Sequence, residues 1–206
     1  MFILAILIPL DLHGFPQRSD GDIAIQDKLT NQINESPNDP HLRFELAMEY
    51  ASTGWIELAW DQLKLVPKLS DDYQDTVYKK YTTIVNTDPS NWQAHFRLAF
   101  AYYFKKEKQK AIESFKTVLS LKPDHVWSMG FIALIYGEQK NYKECIKWCK
   151  RGLKLNNDAT AIHFLIGKAY YEQGNYFGVL GESLSVARLK SIEAKYRPIP
   201  PIGITE

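Results

Sequence analysis

The sequence predicts an all-α fold, an α-solenoid in which helix-turn-helix units stack one after another. A residue pattern recurs at a spacing of 34 positions in the second half of the chain, which is typical of helical repeat arrays. Residues that end helices recur at the same spacing. The composition, 45% hydrophobic and 24% charged, is that of an ordinary folded domain and not of a disordered chain.

The repeat is clearest from Trp92 onward, where three segments align with one another. Each segment carries a large apolar residue, a small residue and a tyrosine, and then a small residue that begins a second apolar stripe. The small residues mark where the two helices of a unit come closest, and the tyrosines fill the space around them. The aligned positions are Leu98, Ile132 and Ile166; Ala99, Ala133 and Gly167; Tyr102, Tyr136 and Tyr170; and Ala111, Cys145 and Val179.

Short polar segments separate these repeats. Lys122 to Asp124 (KPD) and Asn156 to Asp158 (NND) lie one period apart. At each, the proline or asparagine ends one helix and the aspartate can cap the next. The period and the residue pattern resemble the tetratricopeptide repeat family. The resemblance covers roughly residues 38–190 and implies an array of paired helices.

The first unit lies out of phase with the others. Leu46, Ala47 and Tyr50 repeat the apolar-small-tyrosine series 52 residues before Leu98 and its neighbours. The excess over one period is about the length of a helix, and the segment that follows the first unit has apolar residues on one helical face. We therefore predict repeat units at about 38–67, 92–123, 126–157 and 160–190, with an extra helix at about 70–86.

The chain divides into an apolar arm at 1–20, the repeat domain at 21–196 and a proline-rich tail at 197–206. Phe2 to Leu10 (FILAILIPL) is apolar throughout, but it is too short to cross a bilayer and lacks the charged start and cleavage site of a signal peptide. Three interpretations of this segment stay open: a degenerate export signal, a membrane-surface anchor, or an arm that packs on the body. A cytoplasmic location is favoured, and a membrane-associated or exported one is the alternative if residues 1–16 act as an anchor or signal.

The family resemblance also implies a binding surface. In tetratricopeptide arrays the first helix of each unit lines a concave groove that holds peptides of partner proteins. We therefore predict a protein-interaction scaffold or assembly factor that binds an amphipathic or hydrophobic segment, which the apolar arm of its own or a neighbouring molecule could also supply. The predicted groove residues are Phe44, Met48, Gln93, Phe96, Arg97, Phe100, Tyr103, Trp127, Leu134, Phe164, Lys168 and Tyr171.

Other classes of function find little support in the sequence. Arg97 and Lys168 are the only basic groove residues, which is too few for a clamp on a partner's terminal carboxylate. The formal net charge of +1 gives no field that would attract nucleic acid, so RNA binding is the least favoured alternative. A membrane- or envelope-associated subunit tethered through residues 2–10 is the stronger one. Cys145 and Cys149 are interpreted as small buried hydrophobes, and we predict no catalytic residue, metal site or cofactor.

Overall fold

The computed structural model describes residues 19–204, so most of the predicted apolar arm and the last two residues lie outside the described part. Every regular element within residues 19–204 is a helix, which confirms the all-α fold. Eleven helices follow one another in this part of the chain: α1 (Asp20–Glu35), α2 (Pro40–Thr53), α3 (Ile56–Leu63), α4 (Val66–Leu69), α5 (Tyr73–Thr87), α6 (Trp92–Phe104), α7 (Lys108–Leu121), α8 (Val126–Glu138), α9 (Tyr142–Leu155), α10 (Thr160–Glu172) and α11 (Tyr176–Tyr196).

Polar side chains begin many of these helices. The side chains of Asn91, Asn141 and Asn175 each accept a hydrogen bond from a backbone N–H in the first turn of α6, α9 and α11. Ser19 and Asp22 form a reciprocal capping box at the start of α1. These bonds satisfy N–H groups that have no partner inside the helix, and so they fix where each helix starts.

The regular part of the array consists of three helix pairs, α6–α7, α8–α9 and α10–α11, whose members pack closely. Ala99 and Ala133 on the first helices are buried, as are Ala111 and Cys145 on the second helices. Small residues at these positions let the two helices of a pair approach each other, as the repeat pattern predicts. The free Cys149 is also buried.

Helix α5 is inserted between the first pair and the regular array. It packs along α6, and its buried Tyr73 and Tyr81 lie against the ring of Phe44 on α2, with ring centroids 5.9 and 6.3 Å apart. The insertion therefore covers the side of α2 that would line the groove in a regular array.

A partly buried ionic cluster ties α2, α5 and α6 together. The guanidinium of Arg97 donates to Glu45 Oε2 at 2.9 Å and to Glu49 Oε1 at 2.6 Å, and Tyr81 donates to the other oxygen of Glu45. Burial would raise the pKa of Glu45, but Arg97, Tyr81 and Lys80 outweigh that effect and hold it below its usual value. The carboxylate is therefore ionised, and its ion pair with Arg97 holds α2 and α6 together where α5 is inserted.

The two ends of the array meet. The buried Arg43 of α2 donates to the backbone oxygen of Ile202 at 3.0 Å, and Ile202 N–H donates to Asn34 Oδ1 at 3.0 Å. The ring of Trp127 at the start of α8 lies directly over Gly54 at the end of α2. The first helices, the middle of the array and the carboxy-terminal tail thus form one closed turn. Within residues 19–204, none of the helices has the length and apolar character needed to span a bilayer.

Candidate functional site

The inner side of this closed turn holds a cavity of about 620 Å³ between α3, α8, α10 and α11. Its walls are mostly aromatic and aliphatic, and they come from helices that are distant in sequence. The apolar lining residues are Trp55, Ile56, Leu58, Trp60, Trp127, Phe131, Leu134, Ala161, Ile162, Phe164, Leu165, Val186 and Ala194.

Helical periodicity explains why α8 contributes most of one wall. Trp127, Gly130, Phe131 and Leu134 line the cavity, and their spacing of three and four residues places them on one face of the helix. Gly130 lies close to Ile162 of α10, which a Cβ atom added at this glycine would approach to 3.5 Å. The same face of α8 packs towards α2 at its start, where Trp127 meets Gly54.

Charged residues stand only at the mouth of the cavity. Lys190 of α11 pairs with Glu57 of α3, and Arg197 lies 3.7 Å from the same carboxylate. Glu193 also borders the opening and lies 3.8 Å from Lys190. The two signs are balanced across the mouth, and both cations already have acidic partners, so the site does not favour a charged ligand.

Three of the predicted groove residues line this cavity: Trp127, Leu134 and Phe164. Phe164 is 62% exposed although it is a large apolar residue. Lys168 and Tyr171 follow it on α10 at helical spacing and are also exposed, outside the cavity wall. The structure therefore brings three of the five groove residues of the later units together, and their role in binding a peptide stays a prediction.

The groove residues of the earlier units need correction. Phe44, Met48, Phe96 and Phe100 are buried in the core, and they offer no surface to a ligand. The tyrosines of α5 cover Phe44. Phe96 and Phe100 belong to a cluster with Phe115 of α7 and Phe131 of α8, in which ring centroids lie 4.7 to 5.9 Å apart. These aromatic residues hold helix pairs together.

The remaining predicted residues have other surroundings. Arg97 is held between Glu45 and Glu49 in the ionic cluster and is not available to a partner. Tyr103 is half-buried, and its hydroxyl donates to Glu138 at 2.6 Å. Gln93 is exposed at the start of α6.

Sequence reasoning missed the walls that α3 and α11 provide. Trp55 and Trp60 flank or belong to α3, the second helix of the first pair, and such helices were expected to face away from the groove. Val186 and Ala194 belong to α11, which contributes none of the predicted groove residues. The available signal was the presence of two tryptophans, Trp55 and Trp60, within six residues. Together they offer more aromatic surface than the contact between α2 and α3 needs.

The chemistry available to the cavity is that of apolar contact with a few polar groups. Trp55 Nε1 and Thr160 Oγ1, on two of the lining residues, are buried and have no hydrogen-bond partner among the described residues. Within residues 19–204 no group of three or more His, Cys, Asp or Glu side chains is placed to hold a metal ion. The lining is therefore suited to contact with an apolar group.

Comparison with known proteins gives matches along the array. A family model described as "Tetratricopeptide repeat" matches residues 92–125, and a second model with the same description matches residues 128–158. Stress-induced-phosphoprotein 1 of Caenorhabditis elegans is 29% identical over 80 residues, which make up 39% of this chain and 25% of that protein. The chain thus spans about a quarter of the length of that relative.

Solved structures with a similar fold include two of MamA. The first has a TM-score of 0.51 and 18% sequence identity, and the match covers 83% of this chain and 90% of that chain. The second has a TM-score of 0.49 and 17% identity, and covers 86% and 94% of the two chains. At such identity, the likeness to the first structure shows the fold alone.

Proposed function

Because the chain belongs to the tetratricopeptide repeat family, we propose that it is a protein-interaction scaffold or assembly factor whose cavity binds an apolar or amphipathic segment of a partner. Proteins of this family act as interaction scaffolds and are generally not enzymes. The observation that carries the proposal is the cavity itself, which has three tryptophans in its wall and lies on the inner side of the array.

The size and lining of the cavity support a short apolar anchor as the bound group. Its volume of about 620 Å³ lies within the roughly 300 to 1,000 Å³ that is usual for specific ligand sites. Aromatic walls supply large contact areas with little loss of side-chain freedom, which is why binding hot spots are rich in tryptophan and tyrosine. An amphipathic helix that inserts one or two apolar side chains would suit this shape.

The charges at the mouth support the same class of partner. Lys190 and Arg197 both face Glu57, so neither is free to hold a terminal carboxylate. A partner segment that carried apolar side chains into the cavity could leave this surface pair intact, because the pair is at the rim and partly exposed.

Intrinsic fluorescence offers a direct test, since three of the five tryptophans line the cavity. Helical peptides would be selected from a displayed library on the full chain and then titrated against the purified protein. We expect their binding to change tryptophan fluorescence. Binding should be at least tenfold weaker in the variant Phe164→Glu, because a bound peptide would bury the introduced charge against apolar groups. Phe164 is exposed, so the variant should fold.

Leu155→Glu is the matched control, because Leu155 is an exposed apolar residue outside the cavity. Peptides should bind this control as they bind the parent protein. Equal binding to the Phe164→Glu variant, or equal loss in both variants, would remove the cavity as the binding site. The alternative of a complex subunit tethered through residues 2–10 depends on residues outside the described part and stays a prediction.

A further inference from the structure

A stripe of exposed apolar side chains runs along the outer side of α11, away from the cavity. Phe177 is 92% exposed, Leu184 66% and Leu180 59%, and Tyr176 beside them is 69% exposed. The spacing of three and four residues between Phe177, Leu180 and Leu184 puts them on one helical face. The cavity residues of α11, such as Val186, lie on another face. We call Tyr176, Phe177, Leu180 and Leu184 the α11 stripe.

The preceding repeats show which part of this stripe comes simply from its place at the end of the array. One period before Leu180 stands Ile146 of α9, and two periods before it stands Ile112 of α7. Ile112 is buried and Ile146 is packed against the core. In both repeats another helix pair follows and packs on this side of the array. Within residues 19–204 no helix pair follows α11, so Leu180 stands at a stacking position that no following pair covers there.

Phe177 and Leu184 are apolar, whereas the equivalent residues of the preceding repeats are polar or charged. Phe177 corresponds to Lys143 of α9, and Leu184 corresponds to Lys150. Both lysines are exposed, as are Gln109 and Lys116 of α7 one period earlier. In the preceding two repeats these positions thus carry polar residues that are exposed to solvent, and in α11 they carry apolar ones. A terminal repeat usually presents a polar outer face, so an apolar one indicates a contact surface.

We propose that a second copy of this chain covers the α11 stripe, so that the protein forms a symmetric dimer through α11. The proposed surface continues the stacking interfaces that α7 and α9 make with the pairs after them, and therefore accepts a helix of the same kind. In a twofold arrangement α11 of each copy supplies that helix. This inference goes beyond the proposed function, because the stripe and the cavity are on different faces.

Charge and area are consistent with such a pair. The formal net charge of +1 produces little repulsion between copies, and a net charge near zero favours association. The two exposed rings of the stripe alone offer roughly 300 Å² per copy, and Leu180 and Leu184 add to it. A stable interface needs about 800 Å² from each partner, so the stripe suits a weak dimer whose population depends on concentration.

The test is the mass of the full chain in solution, measured by sedimentation equilibrium from roughly 5 to 200 μM, the range in which a weak dimer would dissociate. We expect the average mass to rise from monomer towards dimer. The double variant Phe177→Lys and Leu184→Lys gives α11 the residues that α9 has at the equivalent positions, and both positions are exposed, so it should fold. Its dimerisation should be at least tenfold weaker. Leu155→Lys, an exposed apolar position of α9, should dimerise like the parent.

Two results would overturn the inference. A full chain that stays monomeric over the whole range excludes a second copy, whatever else covers the stripe. A double variant that dimerises like the parent places the dimer contact elsewhere. Binding of a monomeric parent, but not of the double variant, to phosphatidylcholine vesicles would assign the stripe to a membrane surface and would equally overturn the dimer.

Discussion

Replacing Gly54 by alanine should test whether the array is closed in solution. Gly54 ends α2 with a φ of 95°, and a Cβ atom added there would lie 2.2 Å from Cζ2 of Trp127. Gly174, in the turn after α10, has a similar left-handed conformation with a φ of 72°, but nothing lies within 4 Å of its added Cβ. The two glycines therefore differ chiefly in whether another helix packs over them.

The magnitudes follow from that difference. An alanine at a positive φ costs roughly 1 kcal/mol at either position. Displacing a packed aromatic side chain costs roughly 2 kcal/mol more. We therefore expect the free energy of unfolding to fall by about 3 kcal/mol in Gly54→Ala and by about 1 kcal/mol in Gly174→Ala.

Urea denaturation followed by circular dichroism would measure both losses. Trp127→Leu in each background completes a double-mutant cycle, which removes the contribution of the backbone strain. We expect a coupling energy of about 2 kcal/mol between positions 54 and 127, and none between 174 and 127. Equal losses for the two glycine variants, or zero coupling at Gly54, would refute the packing of α8 against the end of α2.

Burial lowers the pKa of His125 from 6.5 to about 4, so the unfolded chain takes up this proton first as pH falls. The free energy of unfolding should drop by about 3 kcal/mol between pH 6.5 and about 4. Urea titrations should find this drop removed in His125→Asn and retained in Phe115→Leu, and a flat parent profile would contradict it. Glu45→Gln should cost roughly 2 kcal/mol, because it leaves a buried cation with one carboxylate; a loss that 1 M salt abolishes would identify a merely exposed pair. Asn34→Ala should speed hydrogen exchange at the Ile202 amide roughly tenfold, and unchanged exchange would show that the tail is not held there.

The helix pairs were predictable because the interactions that form them are local. The tyrosine and small-residue series recurs at a fixed spacing, so positions such as Ala99 and Ala133 could be assigned to helix contacts without knowing the rest of the fold. The polar segments between repeats were correctly placed as helix boundaries, but the predicted capping by Asp124 and Asp158 is wrong. His125 and Ala159 stand at the cap positions of α8 and α10. The segment of α5 was recognisable by its amphipathic pattern alone.

The cavity was not predictable, because it depends on how the insertion of α5 redirects the chain. Groove positions transferred from the family assume a regular superhelix, in which the first helix of every unit faces the same open space. Here the tyrosines of α5 cover Phe44, and a phenylalanine cluster takes up Phe96 and Phe100. Trp55 and Trp60 reach the inner side only because the first pair faces α10 and α11 across the cavity, although these helices begin about 100 residues further along the chain.

The contacts that join the two ends of the array have a consequence for how the protein unfolds. A linear repeat array frays from its termini, since each terminal unit is held by a neighbour on one side only. Here Arg43 and Asn34 hold the tail at Ile202, while Glu57 holds the last turns of α11. Helix α2 and the tail at Ile202 therefore cannot separate without breaking these contacts. We therefore expect the helices of the array to unfold cooperatively, in a single transition.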